Sequence, residues 1–194
     1  KWFAIGADRI EVNHESPGKW KGSTHFMSYI DRCIELYEDS AVPEIDFEPW
    51  NRSTIKKETL HNWFNVEYKH YPLAKRRERI VARIKMWIDG ELKYIEETNI
   101  KKEKKKLATK YLTSYMKQWP KHTALSFYKS LFTTNKYTSI EMNEIPAKLV
   151  QSTTQNCKKK EVEQEDLAPL VYIHNQLFGI EPKNKFQHVI VDEA

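Results

Sequence analysis

Two adjacent carboxylates, Asp192 and Glu193, follow a short apolar run and are the residues of this sequence best suited to chemistry. The run, residues 188–191, reads His-Val-Ile-Val, the pattern of a strand buried on both faces in a parallel sheet. Open α/β sheets bind ligands beyond the carboxyl ends of their strands. We therefore expect Asp192 to help hold Mg²⁺ and Glu193 to orient or deprotonate an attacking water, as in nucleotide hydrolases. The alternative is an acidic loop that only caps a strand.

The basic middle of the chain is a second candidate site. The protein carries a net charge of +5, but residues 69–117 hold 15 basic and 6 acidic residues, whereas residues 1–68 and 118–194 carry net charges of −4 and 0. Such a segment attracts polyanions by releasing their counterions. The alternative is a solvated helix face, and nothing in the pattern reads base edges. The predicted nucleic-acid- or partner-binding residues are Lys75, Arg76, Arg77, Arg79, Arg83, Lys101, Lys102, Lys104, Lys105 and Lys106.

The cysteines, histidines and tryptophans favour structural roles. Cys33 and Cys157 are too few for a disulfide framework, and no Cys/His spacing resembles a zinc site, so unbridged thiols in a reducing compartment are expected. Neither His61 nor His70 has the spacing or partners of a metal ligand. Three aromatic residues could stack on bases, although core packing is their commoner use: Trp63, Trp87 and Trp119.

Composition and periodicity predict a mainly α chain with a small β component (α+β). The chain has 194 residues, 40% of them hydrophobic, which is globular, and its five glycines favour helices over a turn-rich sandwich. Ser23 and Gly179 are placed to cap helices, residues 44–55 predict a hairpin with a turn at 49–52, and residues 152–160 predict a loop or linker. The helices are predicted at residues 24–38, 60–68, 73–95, 107–116, 125–132 and 165–178.

The sequence also predicts where the protein is located. No window approaches the roughly 18 consecutive apolar residues of a membrane span, and the first residues do not form a secretory signal. We therefore expect a cytoplasmic protein with no membrane contact. Because the sequence lacks an initiator methionine and stops at Asp192-Glu193-Ala194, we also expect an excised piece of a longer chain.

Residues 186–194, FQHVIVDEA, resemble the Walker B stretch of UvrD-like superfamily-one helicases, where Asp-Glu-Ala usually continues into Gln-Asp. The preceding residues 165–172, EDLAPLVY, with Phe-Gly at 178–179, are similar to the helix before Walker B in the HelD branch of that family. Weaker resemblances to HelD-type sequences occur in the same order at residues 21–23, KGS, and 71–80, YPLAKRRERI. The Walker B stretch is the specific one.

This resemblance implies a fragment of an ATP-dependent, HelD-like motor related to DNA helicases. Proteins of that branch bind RNA polymerase and help dislodge nucleic acid from it, and a mainly helical arm interrupts their motor between the phosphate-binding loop and Walker B. Residues 1–160 would be that insertion, and residues 161–194 the return to a P-loop ATPase α/β core. The resemblance makes Glu193 catalytic and Asp192 a ligand of Mg²⁺ with ATP, and it implies RNA polymerase, with DNA or RNA, as partners.

Two other functions remain open at this point. The sequence holds no Gly-x-x-x-x-Gly-Lys-Ser/Thr loop and no second motor domain, so we expect no ATP hydrolysis by this chain alone. A conventional UvrD-like helicase would instead use residues 75–85 and 101–106 to grip duplex phosphates, with steep salt dependence. A self-contained enzyme would need a matched acid, base or nucleophile, for which the candidates are poor.

Overall fold

Helices build most of the chain in this computed structural model, which describes residues 2–5, 8–13, 20–133, 145–158 and 161–181. The predicted fold class, mainly α with a small β component, is confirmed. Helices α1 to α7 are Thr24–Asp39, Lys57–Asn62, Leu73–Glu91, Thr98–Lys117, Ala124–Ser130, Ala147–Lys158 and Leu167–Phe178. Strands β1 to β5 are Trp2–Ile5, Asp8–Asn13, Phe47–Trp50, Ser53–Ile55 and Glu161–Glu163. The predicted strand at 188–191 lies outside the described residues.

Helix α1 begins where the sequence predicts. The Phe26 backbone N–H donates to Ser23 Oγ at 3.2 Å, which satisfies one of the N–H groups that the first turn leaves without a partner. The apolar positions at helical spacing are buried, and Cys33 belongs to that core stripe, as predicted. The Tyr29 hydroxyl donates to the Leu131 carbonyl at 2.6 Å, which joins α1 to the end of α5.

The predicted hairpin is confirmed, but its first strand begins at Phe47 rather than at residue 44. It runs to Trp50, so the predicted turn at 49–52 is wrong for residues 49 and 50 and the turn lies at 51–52. Asp46 lies just before the strand, where its Oδ1 accepts from the Lys57 backbone N–H at 2.9 Å at the start of α2. Strands β3 and β4 then pair antiparallel around Arg52, whose φ of 69° is the left-handed conformation that tight hairpin turns need.

Helices α3 and α4 form an antiparallel hairpin joined by residues 92–97. Arg77 near the start of α3 donates to the Met116 carbonyl near the end of α4, and Asp89 near the end of α3 pairs with Lys105 in α4. The predicted single run to residue 95 ends at Glu91, with Leu92 as C-cap. Helix α4 begins at Thr98, nine residues before the predicted start at 107, and therefore includes the whole lysine run.

The predicted loop at 152–160 is wrong for residues 152–158, because α6 covers them. The inward face of this helix includes Thr153 and Cys157, which are 0% and 3% exposed. These residues recur at a spacing of four but are not strongly apolar, so a search for apolar anchors misses the helix.

The residues after 160 pack into the same core as the helices before them. Strand β2 pairs antiparallel with β1 and parallel with β5, and Val162 of β5 is fully buried. Leu170 and Ile173 of α7 are also fully buried. The predicted division of the chain at residue 160, between an insertion and the return to a motor core, stays a prediction. No helix among the described residues has the length and apolar character needed to cross a bilayer.

Gly179 ends α7, as predicted, with φ 80°. A Cβ at this position would lie 2.6 Å from Pro72 Cγ, which is closer than van der Waals contact allows. Both the left-handed backbone and the approach of Pro72 therefore require glycine here. The end of α7 is thereby held against the start of α3.

Candidate nucleic-acid or partner interface

Of the two predicted sites, only the basic one lies within the described residues. Asp192 and Glu193 lie outside the described residues, so their roles in Mg²⁺ binding and water activation remain predictions. All ten predicted basic residues are described, five on α3 and five on α4. The structure separates these ten into residues with structural partners and residues that face solvent.

Arg76 is a structural residue rather than a binding one. It is 7% exposed, its Nε donates to the Tyr71 carbonyl and its Nη2 to the Lys69 carbonyl, each at 2.7 Å, and its Nη1 pairs with Glu38. A guanidinium with this many fixed partners holds the turn before α3 against α1. It is not available to a polyanion.

The other α3 candidates are also engaged. The guanidinium carbon of Arg79 lies 3.9 Å from the ring centroid of Tyr71, and that of Arg83 lies 4.2 Å from Trp63 while its Nη1 pairs with Glu67. The contact with Trp63 fixes α3 on the π-helical turn Trp63–Glu67, and the contact with Tyr71 fixes α3 on the residues just before it. Lys75 pairs with Glu78 at 2.9 Å. Arg77 is half-buried.

Helix α4 carries most of the solvent-facing part of the basic set, although Lys75 and Arg79 of α3 are also exposed. Four exposed lysines line one shallow groove with Thr109 and Thr113, and we call them the lysine stripe: Lys102, Lys105, Lys106 and Lys110. The spacing of four residues places Lys102, Lys106 and Lys110 on one face, about 6 Å apart along the helix. Lys105 pairs with exposed Asp89 at 2.9 Å, and the other three form no salt bridge with a described residue. Both threonine hydroxyls donate to carbonyls one turn earlier.

The remaining members of the lysine run turn away from the stripe. Lys104 is half-buried, with its Nζ 5.7 Å from the ring centroid of Trp50, and Lys101 is also half-buried. The face at Lys104 belongs to the contact between α4 and the β3–β4 hairpin. There, Phe47 is fully buried against Trp87, Tyr111 and Tyr115 at centroid distances of 5.3 to 6.1 Å.

The chemistry of the lysine stripe suits repeated negative charge. Each ammonium is a compact, mobile point charge with three donors, which can contact phosphate or carboxylate oxygens. The groove offers only lysine and threonine side chains, and it lacks the arginine, asparagine and glutamine side chains that most often read a base edge through two hydrogen bonds. It can bind a nucleic-acid backbone or an acidic protein surface without sequence selection.

Sequence reasoning missed one member of this surface, Lys110. Its signal was present, because 102, 106 and 110 share one helical register. The predicted helix began at 107, which cut the register in two. A second groove between α3 and α4 is lined by Arg77, Lys85 and Lys117, of which only Lys117 was not singled out in the sequence.

A buried ionic cluster was also missed. Lys21 is 0% exposed, and its Nζ lies 2.7 Å from Glu163 Oε2 and 2.6 Å from Asp166 Oδ1. The Tyr128 hydroxyl donates to Asp166, and the Asn156 amide donates to Glu163 at 3.2 Å. Burial, and then the Asp166 charge, raises the pKa of Tyr128. Every member has partners, so this cluster joins the segment before α1 to β5 and α7 and does not form an open reaction site.

The structural interpretation of the aromatic residues is confirmed. Trp63 and Trp119 are 8% and 2% exposed, and Trp87 packs on Phe47 and Trp50. His61 Nε2 lies 3.0 Å from Glu44 Oε1. Within the described ranges, no group of three or more His, Cys, Asp or Glu side chains could hold a metal ion, and both cysteines are unbridged.

Among the described residues, the geometry provides two solvent-facing basic grooves, one at the lysine stripe and one between α3 and α4, and one buried ionic cluster. Comparisons with protein families, with curated proteins and with solved structures found no match to this chain.

Proposed function

We propose that this chain is part of an ATP-dependent, HelD-like motor, and that the α3–α4 hairpin is the core of an arm that contacts RNA polymerase or its nucleic acid to promote release. The observation that carries the proposal is the lysine stripe on the outer face of that hairpin. Three of its four ammonium groups have no acidic partner among the described residues. A surface of this kind gains from meeting a polyanionic assembly.

The length and the aromatic packing of the α3–α4 hairpin support the proposal that it is an arm. Helix α4 has 20 residues, a length of about 30 Å, and α3 runs back along it. The aromatic residues of β3 and of both helices stiffen it, because Phe47 packs edge-to-face on three rings. A stiff pair of helices with a charged face can bind a partner without losing much conformational entropy.

The motor part of the proposal depends on the resemblance of residues 186–194. Carboxylates suit Mg²⁺, so Asp192 would hold the metal with ATP and Glu193 would orient the water in a longer chain that supplies the phosphate-binding loop. Bound ATP would supply the energy for release, and the cytoplasm is where such a motor would act. In that longer protein, Glu193→Gln should abolish ATP turnover and preserve nucleotide binding, whereas Glu181→Gln should change neither. Normal turnover in Glu193→Gln would remove the assigned role.

A second candidate function is a duplex-binding insertion of a conventional UvrD-like helicase. The groove at the lysine stripe favours it, because lysine and threonine side chains are common phosphate contacts in protein–DNA complexes. In this case the partner would be free DNA, and no polymerase would be needed.

Binding measurements on this chain separate the two. We would titrate it against purified core RNA polymerase and against a short DNA duplex between about 50 and 200 mM salt. The arm predicts polymerase binding that persists at the higher salt. The helicase insertion predicts duplex binding that falls steeply, with no polymerase binding. If neither partner binds, the stripe is a solvated helix face and both proposals fail.

A further inference from the structure

A cavity of about 300 Å³ lies where the ends of α1 and α7 meet the start of α3. Its lining includes the buried side chains of Tyr37, Phe64, Trp119 and Leu177, and we call it the aromatic cavity. Phe64 and Trp119 meet edge-to-face with centroids 5.6 Å apart. A volume of this size is at the lower end of small-molecule sites, so it suits a ligand of one or two rings.

The charged groups at the aromatic cavity are mainly basic. Arg77 and Lys121 are cations, and Glu78 is the carboxylate, which already pairs with Lys75 at 2.9 Å. Burial lowers the pKa of His122, which favours its neutral form at pH 7, and its Nδ1 lies 3.3 Å from Ser126 Oγ. The net charge of the lining is therefore positive.

Arg77 is the unusual group in this wall. Its Nη2 donates to the Met116 carbonyl at 3.2 Å, but its Nε is buried and has no hydrogen-bond partner. No described carboxylate forms a salt bridge with it, whereas its neighbour Arg76 and the more distant Arg83 are both paired. A half-buried guanidinium with no carboxylate in salt-bridge contact is unfavourable, and burial accordingly lowers the pKa of Arg77, although the charge of nearby Glu78 acts in the opposite direction. An anion in the cavity would remove that cost.

We propose that the aromatic cavity binds a small aromatic carboxylate, with its ring among Phe64 and Trp119 and its carboxylate on Arg77. A carboxylate matches the planar fork of a guanidinium. A single negative charge suits the net positive lining, whereas a phosphate dianion would lose more hydration in a mostly apolar site. This site is separate from the lysine stripe, so the proposal does not depend on the motor or on its partners.

The test uses the full chain with 2-naphthoate as probe and the uncharged 2-naphthamide as its matched analogue. Binding is followed by NMR through the indole N–H of Trp119. We expect 2-naphthoate to bind with a Kd below about 1 mM and the amide at least about tenfold more weakly. Equal binding of the two, or no shift of Trp119 at saturating 2-naphthoate, would overturn the proposal.

Substitutions test whether 2-naphthoate binds in the aromatic cavity. Arg77→Gln should lose the preference for the anion, and Arg79→Gln, whose side chain lies on Tyr71 outside the cavity, should keep it. Ala74→Leu should block binding by filling the cavity while leaving Arg77 in place, so the proposal stays testable if Arg77→Gln fails to fold. Unchanged 2-naphthoate affinity in a folded Arg77→Gln or Ala74→Leu variant contradicts the site, as does loss of binding on replacing Lys102, Lys106 and Lys110.

Discussion

The same residue type behaves in opposite ways in two regions of this molecule. Lys21 is completely buried between Glu163 and Asp166, whereas Lys106 and Lys110 lie exposed along α4 without acidic partners among the described residues. Removal of an ammonium from water costs several kcal/mol, and close carboxylates are needed to offset that cost. An exposed ammonium keeps its hydration. A lysine in the core therefore stabilises the fold, whereas a lysine on the stripe stays hydrated and accessible.

The comparison also separates two kinds of sequence signal. The stripe is visible as a local run, because its four members all lie between residues 102 and 110. The buried cluster joins residues 142 and 145 positions apart, and no local pattern marks Lys21 as different from any other lysine. Charge runs thus indicate surfaces, but an isolated charge needs the tertiary structure before it can be interpreted.

The largest expected effect is that of Lys21→Met. It leaves two carboxylates buried without their cation, and we expect a loss of about 3 to 5 kcal/mol in the free energy of unfolding. Lys106→Met is the matched control and should change stability by less than about 0.5 kcal/mol. Urea denaturation measures both. Adding Glu163→Gln to Lys21→Met should recover part of the loss, and equal effects of the two single variants would contradict the distinction between the regions.

The pH dependence of stability provides a second test near the buried cluster. Burial, and then Asp166, raises the pKa of the Cys157 thiol from 9.0 to about 11. The unfolded state then releases this proton first, so the contribution is complete below pH 9.0 and is lost as pH rises toward about 11. Its full size is about 3 kcal/mol. Urea midpoints of Cys157→Ala should fall less than those of the unchanged protein over this interval, and parallel slopes would refute the assignment.

A smaller loss is expected from Tyr128→Phe. This change removes the hydroxyl that donates to Asp166 and leaves the carboxylate with Lys21 and the Glu163 backbone N–H. A hydrogen bond to a charged, buried group contributes roughly 2 kcal/mol. Tyr94→Phe is the control, because Tyr94 is 86% exposed. Thermal or urea unfolding should separate the two, and indistinguishable variants would mean that the hydroxyl adds nothing to the cluster.

The smallest effect on stability belongs to the stripe. Replacing Lys102, Lys106 and Lys110 by Gln removes repulsion between like charges at i, i+4 spacing, so stability should change by only about 0.5 kcal/mol, in the favourable direction. Polyanion binding should weaken, with the slope of log K against log salt reduced by roughly 2 to 3. The same substitution at exposed Lys69, Lys121 and Lys148 keeps the net charge equal and should leave that slope nearly unchanged. Equal slopes in the two triple variants would show only a net-charge effect.

Local signals predicted much of the fold because they act within a few residues. The Ser23 cap, the α1 stripe and the Gly179 terminus all follow from neighbouring residues and are confirmed. Helix α6 was missed because the burial of Thr153 and Cys157 is decided by what packs on them. Strand β5 has three residues and pairs with β2, 150 positions earlier, so no local pattern could predict it.

Local sequence patterns also fail to distinguish single basic residues of the candidate surface. Arg76 and Lys106 look alike in the sequence, yet Arg76 is held by two carbonyls and Glu38, while Lys106 lines an open groove. Helical spacing could have grouped the stripe, but it could not tell which face of α3 meets the π-helical turn.

By itself, the sequence determined the helical class, most helix positions and the basic character of the middle segment, because backbone propensity, capping and hydrophobic period are properties of neighbours. Only the tertiary structure decided which charges are buried and which are exposed, since the hydration of a charged group depends on residues far away in the chain. Lys21 is in the core because Glu163 and Asp166 meet it there.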